Sequence, residues 1–269
     1  MLKVRIVTAL ILGGALLVVL FVLPPAATRA VFGAAFVGGA WEWAGFGGWR
    51  TPAARTAYAL AIGVLLALGW RYSASPAHLR TLLLGACAWW VVAFLWLALA
   101  PDRQKPSLAL LCGVLVLVPA FVALARVAAA HGAVSGPDAV LWLLALVFGA
   151  DIGAFVAGRR FGRLKLAPRV SPAKTWEGLI GGMLAVAAVA ACAAVVLRGP
   201  VLAMIGFGCA VGLFSMVGDL TESMFKRAAG LKDSGALLPG HGGILDRLDS
   251  VTAAAPLFAL GLFGARWLA

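Results

Sequence analysis

Charge is scarce in this sequence, and negative charge is scarcer still. Charged residues fill 12% of the 269 positions, where roughly 25% is usual in a soluble domain. Ten are Asp or Glu, against 22 Lys and Arg, giving a formal net charge of +12. A soluble enzyme lacks its charged surface here. A disordered chain is excluded by the opposite excess, 63% of residues in the set AVILMFWYC and a mean hydropathy of +1.03. Cysteine is sparse as well. Cys87, Cys112, Cys192 and Cys209 stand singly in apolar runs without C-x-x-C spacing, which excludes a disulfide scaffold and argues against structural zinc. Two-residue alternation in blocks of about ten is missing, so a membrane β-barrel is excluded. No linker, low-complexity stretch or second soluble domain interrupts the chain.

What the chain does have is long apolar runs. They cover 6–23 and about 30–46, 54–70, 81–100, 107–125, 139–157, 178–197, 201–222 and 251–268. One helical crossing of a bilayer takes about 20 apolar residues, so nine crossings use about 180. The expectation is an all-α polytopic integral membrane protein with about nine transmembrane helices. It forms a single membrane domain, 1–269, with N-terminal helices in 1–137 and a catalytic half in 138–269. The first run exceeds the roughly 7–15 residues of a signal-peptide core and is expected to be retained as a helix. Gly38-Gly39 and Gly181-Gly182 are expected to serve close helix packing. When the gaps between runs are assigned to alternate sides, Lys and Arg divide 16 to 6. The positive-inside rule then places the N-terminus and two hydrophilic loops, 158–177 and 223–250, in the cytoplasm.

The few acidic residues are unevenly spread. Glu42, Asp102 and Asp138 precede position 150, and the other seven lie between Asp151 and Asp249. A carboxylate in an apolar segment is costly and marks a functional site by default; Asp219, after 18 residues of apolar helix, is the clearest case. Asp219, Glu222, Ser223 and Lys226 recur at three- and four-residue spacing and share a helical face, where Glu222 and Lys226 are also spaced as an ordinary ion pair. Further on, Gly240-His241-Gly242-Gly243 can bring backbone N–H groups close to a phosphate. Asp246 and Asp249 follow, one turn apart, with Arg247 between them. With Asp219 they offer the hard oxygens that suit Mg2+. The other loop carries six basic residues between Arg159 and Lys174, a concentration suited to a polyanion. There Lys174 can serve as a point charge on phosphate, with Ser171 and Thr175 as hydroxyl donors.

At these residues the sequence resembles the phosphatidate cytidylyltransferases, or CDP-diacylglycerol synthases. Their signature runs through Ser223, Lys226-Arg227, Lys232-Asp233, His241-Gly242-Gly243 and Asp246-Arg247-Leu248-Asp249. Upstream, Ser171-Pro172-x-Lys174-Thr175-x-Glu177-Gly178 and Asp151 with Gly158-Arg159-x-Phe161-Gly162 are similar too, while Phe155 stands where the family commonly has tyrosine. The resemblance implies transfer of CMP from CTP to phosphatidic acid, with pyrophosphate released. It implies a catalytic set of Asp219, Asp246, Lys226, Arg227, His241 and Asp249. Substrates would be bound by Ser171, Lys174, Thr175, Ser223, Lys232, Arg247, Gly242 and Gly243. It further implies Mg2+ on Asp219 and Asp246, room for a second, monovalent cation such as K+, and a homodimer. No nucleic-acid partner is expected. The alternatives are a CTP-dependent enzyme acting on a polyprenol or an ether lipid, and an ion-coupled transporter with carboxylates at the bilayer midplane.

Overall fold

The computed structural model describes residues 2–102, 104–235, 237 and 242–265. Among these residues the chain forms nine α-helices and one β-hairpin. In order they are α1 (Leu2–Phe21), α2 (Pro25–Trp43), α3 (Pro52–Tyr72), α4 (Pro76–Leu99), α5 (Pro106–Ala128), α6 (Gly136–Phe161), β1 (Lys165–Ala167), β2 (Ser171–Thr175), α7 (Trp176–Val196), α8 (Val201–Ala228) and α9 (Leu245–Gly264). Local chemistry sets many of the starts. Proline occupies the first turn of α2, α3, α4, α5 and α6, where its missing N–H costs no hydrogen bond. Thr51, Ser135 and Thr175 cap α3, α6 and α7 through their hydroxyls.

The helices α3 through α8 are long and apolar enough to cross a membrane. Their outward residues suit that solvent. Leu60, Val64 and Leu68 on α3, Val91 and Leu95 on α4, and Leu184 on α7 are exposed, forming apolar faces that lipid tolerates and water does not. The chain is an all-α integral membrane protein apart from its short hairpin. α9 lies in the middle, in contact with α2, α4, α5, α6 and α8. Residues 250–256 of α9 are buried without a break, as befits a helix surrounded by protein. α1 leans on α2 at the edge, with Leu10, Ile11 and Leu17 turned outward.

Small residues bring the helices of the second half together. A methyl group at Gly153 of α6 would lie 2.6 Å from the Gly181 carbonyl oxygen and 2.7 Å from Ala185 Cβ of α7. One at Gly182 would meet the Ala150 carbonyl oxygen at 2.7 Å. Gly38 and Gly39 play the same part for another pair, seating Ile244 and Leu245 at the head of α9 at 3.0 and 3.5 Å.

The apolar runs and the helices differ at their polar ends. α6 continues through Gly158 to Phe161, so the expected 158–177 loop shrinks, and most of what remains pairs as the antiparallel β1–β2 hairpin. α8 continues past Glu222 to Ala228, which removes 223–228 from the second loop, and α9 begins at Leu245 rather than near 251. Hydropathy marks the lipid-facing length of a helix, whereas the backbone hydrogen bonds run on into turns that carry charge.

Tight contact between α6 and α7 makes a stability prediction. Gly153→Leu should cost about 1–3 kcal/mol through overpacking, read as a lower thermal midpoint in detergent. Gly85→Ala, where the added methyl meets nothing within 4 Å, should leave the midpoint unchanged or raise it. An unchanged midpoint for Gly153→Leu would show that this contact does not constrain the bundle.

Candidate active site

One end of the bundle gathers polar side chains from α2, α6, α8, α9 and β2. The shared face of α8 supplies Asp219, Ser223 and Lys226. Asp219 accepts from Lys174 Nζ at 2.5 Å through Oδ2, and Ser223 Oγ donates to its Oδ1 at 3.3 Å. The side chains of Lys174 and Asp219 are about a quarter exposed (26% and 25%), so the pair is open to an incoming ligand. Lys174 reaches α8 because the hairpin is anchored on both sides. Trp176 N–H donates to the Leu164 carbonyl at 2.9 Å, and Leu164 N–H donates to the Glu177 carboxylate at 3.2 and 3.3 Å.

Lys226 is buried and serves two acids. Its ammonium lies 2.8 Å from Asp246 Oδ1 and 3.2 Å from Glu222 Oε1. The ordinary i,i+4 pair is thus present, but it shares its lysine with α9. Asp246 also accepts from Ser234 N–H at 3.0 Å and from Gly243 N–H at 2.8 Å, both on Oδ2. Gly242, with φ +81, turns the chain into that contact, a conformation that favours glycine. Arg247 and Lys174 both lie within electrostatic reach of Asp151, and Asp249 feels the charges of Asp219, Lys226 and Asp151.

Glu42 completes the frame and was not among the expected site residues. It is fully buried on α2 and accepts from Ser234 Oγ at 3.0 Å, Ile244 N–H at 3.2 Å and Leu245 N–H at 2.8 Å. One carboxylate therefore caps the N-terminus of α9, where an anion is favoured by the helix dipole and the unpaired N–H groups. The same carboxylate ties down Ser234, whose backbone holds Asp246. The signal in the sequence was a lone acid inside an apolar run; its partners, some 200 positions away, left no local trace.

A cavity of about 460 Å3 opens beside Asp219, between α6, α7, α8 and β2. Asp151, Arg159, Lys174 and Asp219 line its polar part, and Gly182, Met183 and Gly212 its apolar part. Thr175 lines it too, but its hydroxyl oxygen already accepts from Gly178 N–H at 3.1 Å as the cap of α7. The remaining expected residues are dispersed. Ser171 sits at the far end of β2, paired with Ala167 and outside the cavity lining. Arg227 donates to the Leu231 carbonyl at 3.1 Å, closing off the end of α8. Lys232 is exposed. Gly242 and Gly243 lie against Asp246, and His241 lies outside the described residues. Among the described residues, no three carboxylate, imidazole or thiol groups converge closely enough to form a ready-made metal cage.

This arrangement can handle phosphates: Lys174, held by Asp219, lines a mostly apolar cavity, and Lys226, held by two acids, is buried on the same helix as Asp219, in a bundle that crosses a bilayer. Some known proteins resemble this chain over nearly its whole length. A phosphatidate cytidylyltransferase of Haemophilus influenzae is 37% identical over 286 aligned positions, covering 98% of this chain and 99% of the relative. One from Pseudomonas aeruginosa is 41% identical, covering 99% of both. A third, from Brucella suis, is 48% identical over 135 positions, 48% of each chain. The profile described as the cytidylyltransferase family matches residues 3–263, and the chain belongs to that family.

Proposed function

We infer that the chain is a phosphatidate cytidylyltransferase, forming CDP-diacylglycerol and pyrophosphate from CTP and phosphatidate. The observation that carries this reading is the convergence of three distant segments. Lys174 from the hairpin, Asp219 and Lys226 from α8 and Asp246 from α9 meet in two ion pairs at one end of a membrane bundle. Lys174, Lys226 and Asp246 belong to the sequence pattern that resembles the phosphatidate cytidylyltransferases.

In the reaction an oxygen of the lipid phosphate attacks the α-phosphorus of CTP. A new O–P bond forms, the bond from the α-phosphorus to the β-bridging oxygen breaks, and pyrophosphate leaves with its electron pair. The nucleophile is already ionised, so the site needs no strong base; its task is to gather anions and hold them in line. Lys174 lies at the cavity edge, where its ammonium can pass from Asp219 to a phosphate. Lys226 is held deeper, and through Asp246 it fixes the loop that ends in Gly243. Arg247, between two acids on α9, provides a third positive charge near the reacting groups.

The donor set fits Mg2+. Asp151, Asp219, Glu222, Asp246 and Asp249 face Lys174, Lys226 and Arg247, so carboxyl groups outnumber basic ones before any nucleotide arrives. A site that must admit a polyanion needs added positive charge, and Asp219 and Asp246 would hold the ion, with phosphates and water completing its shell. When bound, it supplies charge stabilisation for the phosphoryl oxygens. Asp219 is the more accessible ligand, since Asp246 already accepts from three donors. A monovalent cation such as K+ belongs to this reading on family resemblance alone, since the Glu222 carboxylate already faces the Lys226 ammonium at 3.2 Å. The homodimer belongs to this reading on family resemblance alone.

The 16-to-6 division of basic residues supports an inner-membrane protein with its N-terminus and site loops in the cytoplasm, the side that holds CTP. Lys165→Cys, on the exposed start of the hairpin, tests this in a chain whose four native cysteines are replaced by alanine. The thiol should resist a membrane-impermeant maleimide in intact cells and react after permeabilisation. Labelling in intact cells would reverse the topology.

Activity is tested by incubating purified protein with labelled CTP, Mg2+ and a lipid panel containing phosphatidate, a polyprenyl phosphate and a phosphorylated ether lipid. Phosphatidate should become the labelled CDP ester, and its failure to do so would overturn the reading. Asp219→Asn keeps the side chain's shape and removes its charge; turnover should fall by about 100-fold or more. Asp246→Asn should do the same, and unchanged rates with unchanged Mg2+ dependence in both would place the metal elsewhere. Lys174→Ala should lower kcat/KM for CTP or phosphatidate by about 10- to 100-fold with the fold intact. An unaffected kcat/KM would make the hairpin a topology signal rather than part of the site.

A further inference from the structure

A second cavity, of about 300 Å3, lies between α1, α2, α5, α6 and α9. Among the described residues, every side chain lining it is aliphatic or phenylalanine except Arg247. Arg247 lies between Asp246 and Asp249 in sequence, and its charge is felt at Asp151. The other wall shows where the cavity leads. Val140, Leu144 and Phe148 line it at four-residue spacing along α6, and Asp151 follows one turn beyond Phe148 on the same side of the helix. Val140 is 11 residues before Asp151, about 16 Å along the axis. The cavity therefore descends from the level of the reacting groups into the apolar interior of the bundle.

We propose that this cavity holds one acyl chain of the lipid substrate, with Arg247 at its mouth positioned toward the lipid phosphate. The proposal rests on the phosphatidate reading above. The chemistry leaves little else to place there. A nucleotide needs hydrogen-bond partners along its length, and the lining offers none beyond the arginine. In a bilayer, hydrocarbon chain is the abundant filler of an apolar recess of this size. α1 lies beside the route. Leu12, Ala15, Leu16 and Val19 of α1 line the cavity, and the lining residues Leu12, Val31 and Phe148 are also exposed, so the cavity opens to lipid at the surface of the bundle. A lipid entering beside α1 can seat its chain and bring its phosphate to Arg247 without leaving the membrane. The chain binding is thus a positioning device: it sets the depth at which the phosphate oxygen meets CTP.

The test compares long and short acyl chains. Ala15→Phe and Ala35→Phe each fill the cavity from one side, and Leu144→Ala enlarges it. For each variant, kcat/KM is measured with dioleoyl and with dihexanoyl phosphatidate in mixed micelles, together with the KM for CTP. The filling variants should lower the dioleoyl-to-dihexanoyl ratio at least tenfold and leave the KM for CTP unchanged, because the short lipid does not reach the blocked depth. Leu144→Ala should change the dioleoyl-to-dihexanoyl ratio through the dioleoyl value alone, a response that does not depend on the filled variants folding well. Equal losses on both lipids would show a structural lipid or simple core packing there, and unchanged ratios in all three variants would show that no substrate chain enters. Either result overturns the proposal. Wild-type protein that turns over neither lipid would instead overturn the phosphatidate reading itself.

Discussion

Lys226 places one ammonium between Glu222 and Asp246 inside a helix bundle, and the geometry of the site hangs on that contact. An isolated charge at this depth would be expensive, and a lone carboxylate hardly less so. Bringing the three together offsets much of that cost, but only at one relative position of α8 and α9. Gly218 makes the position possible, since a side chain there would collide with the Asp249 backbone carbonyl and lie 2.9 Å from Ala253 Cβ. Removing one partner from such a set is worse than removing all of it, because the remaining buried charges lose their match. The pair therefore specifies the register of two helices, and under the proposed function it would also supply charge to the reaction.

Glu42 performs the matching task from the other half of the chain. The described residues of the loop before α9 are tied down by hydrogen bonds to two acids as well as by packing of Leu231 and Ile244. Asp246 takes the backbone of Ser234 and Gly243, and Glu42 takes the hydroxyl of Ser234 and the first N–H groups of α9. Because Ser234 contacts both acids, displacement of α2 would be felt at Asp246. The N-terminal helices thus do more than anchor the protein in lipid: α2 sets the position of a residue that belongs to the reaction centre.

Much of this was legible in the sequence, and the reasons are specific. The apolar runs matched the helices because lipid imposes a minimum length and composition on each crossing. Asp219, Ser223 and Lys226 were readable as one face because helical spacing is local. Gly38-Gly39 and Gly181-Gly182 were readable as packing residues because their only side-chain property is small size. The hairpin was not readable. Its strands have three and five residues, one contains Pro172, and neither alternates clearly. The same limit hid the choice of partners. Lys174 and Asp219 are 45 positions apart and Glu42 and Leu245 are 203 apart, so no local pattern links them. Nor does the sequence show that Arg227 is turned to a helix end and Ser171 to the far end of the hairpin.

The two cavities explain why the reaction centre sits at the end of the helices rather than in a soluble domain. The substrates differ in solvent: CTP arrives from water, while phosphatidate brings its chains in the bilayer. A site wholly in water would have to extract the lipid, losing the transfer free energy of its apolar surface. A site wholly in hydrocarbon would have to desolvate a triphosphate. α6 resolves the conflict within one helix. Its Val140–Phe148 stripe faces a cavity lined by apolar residues and Arg247, and from Asp151 to Arg159 it faces one that also carries Lys174 and Asp219. Arg247 of α9 stands where the two environments meet. A lipid phosphate at that junction keeps its chains in hydrocarbon while its oxygen reaches lysines and acids that remain open to water. If the second cavity holds an acyl chain as proposed, the boundary between polar and apolar residues along α6 would select for a phosphorylated lipid as well as provide a place to bind it.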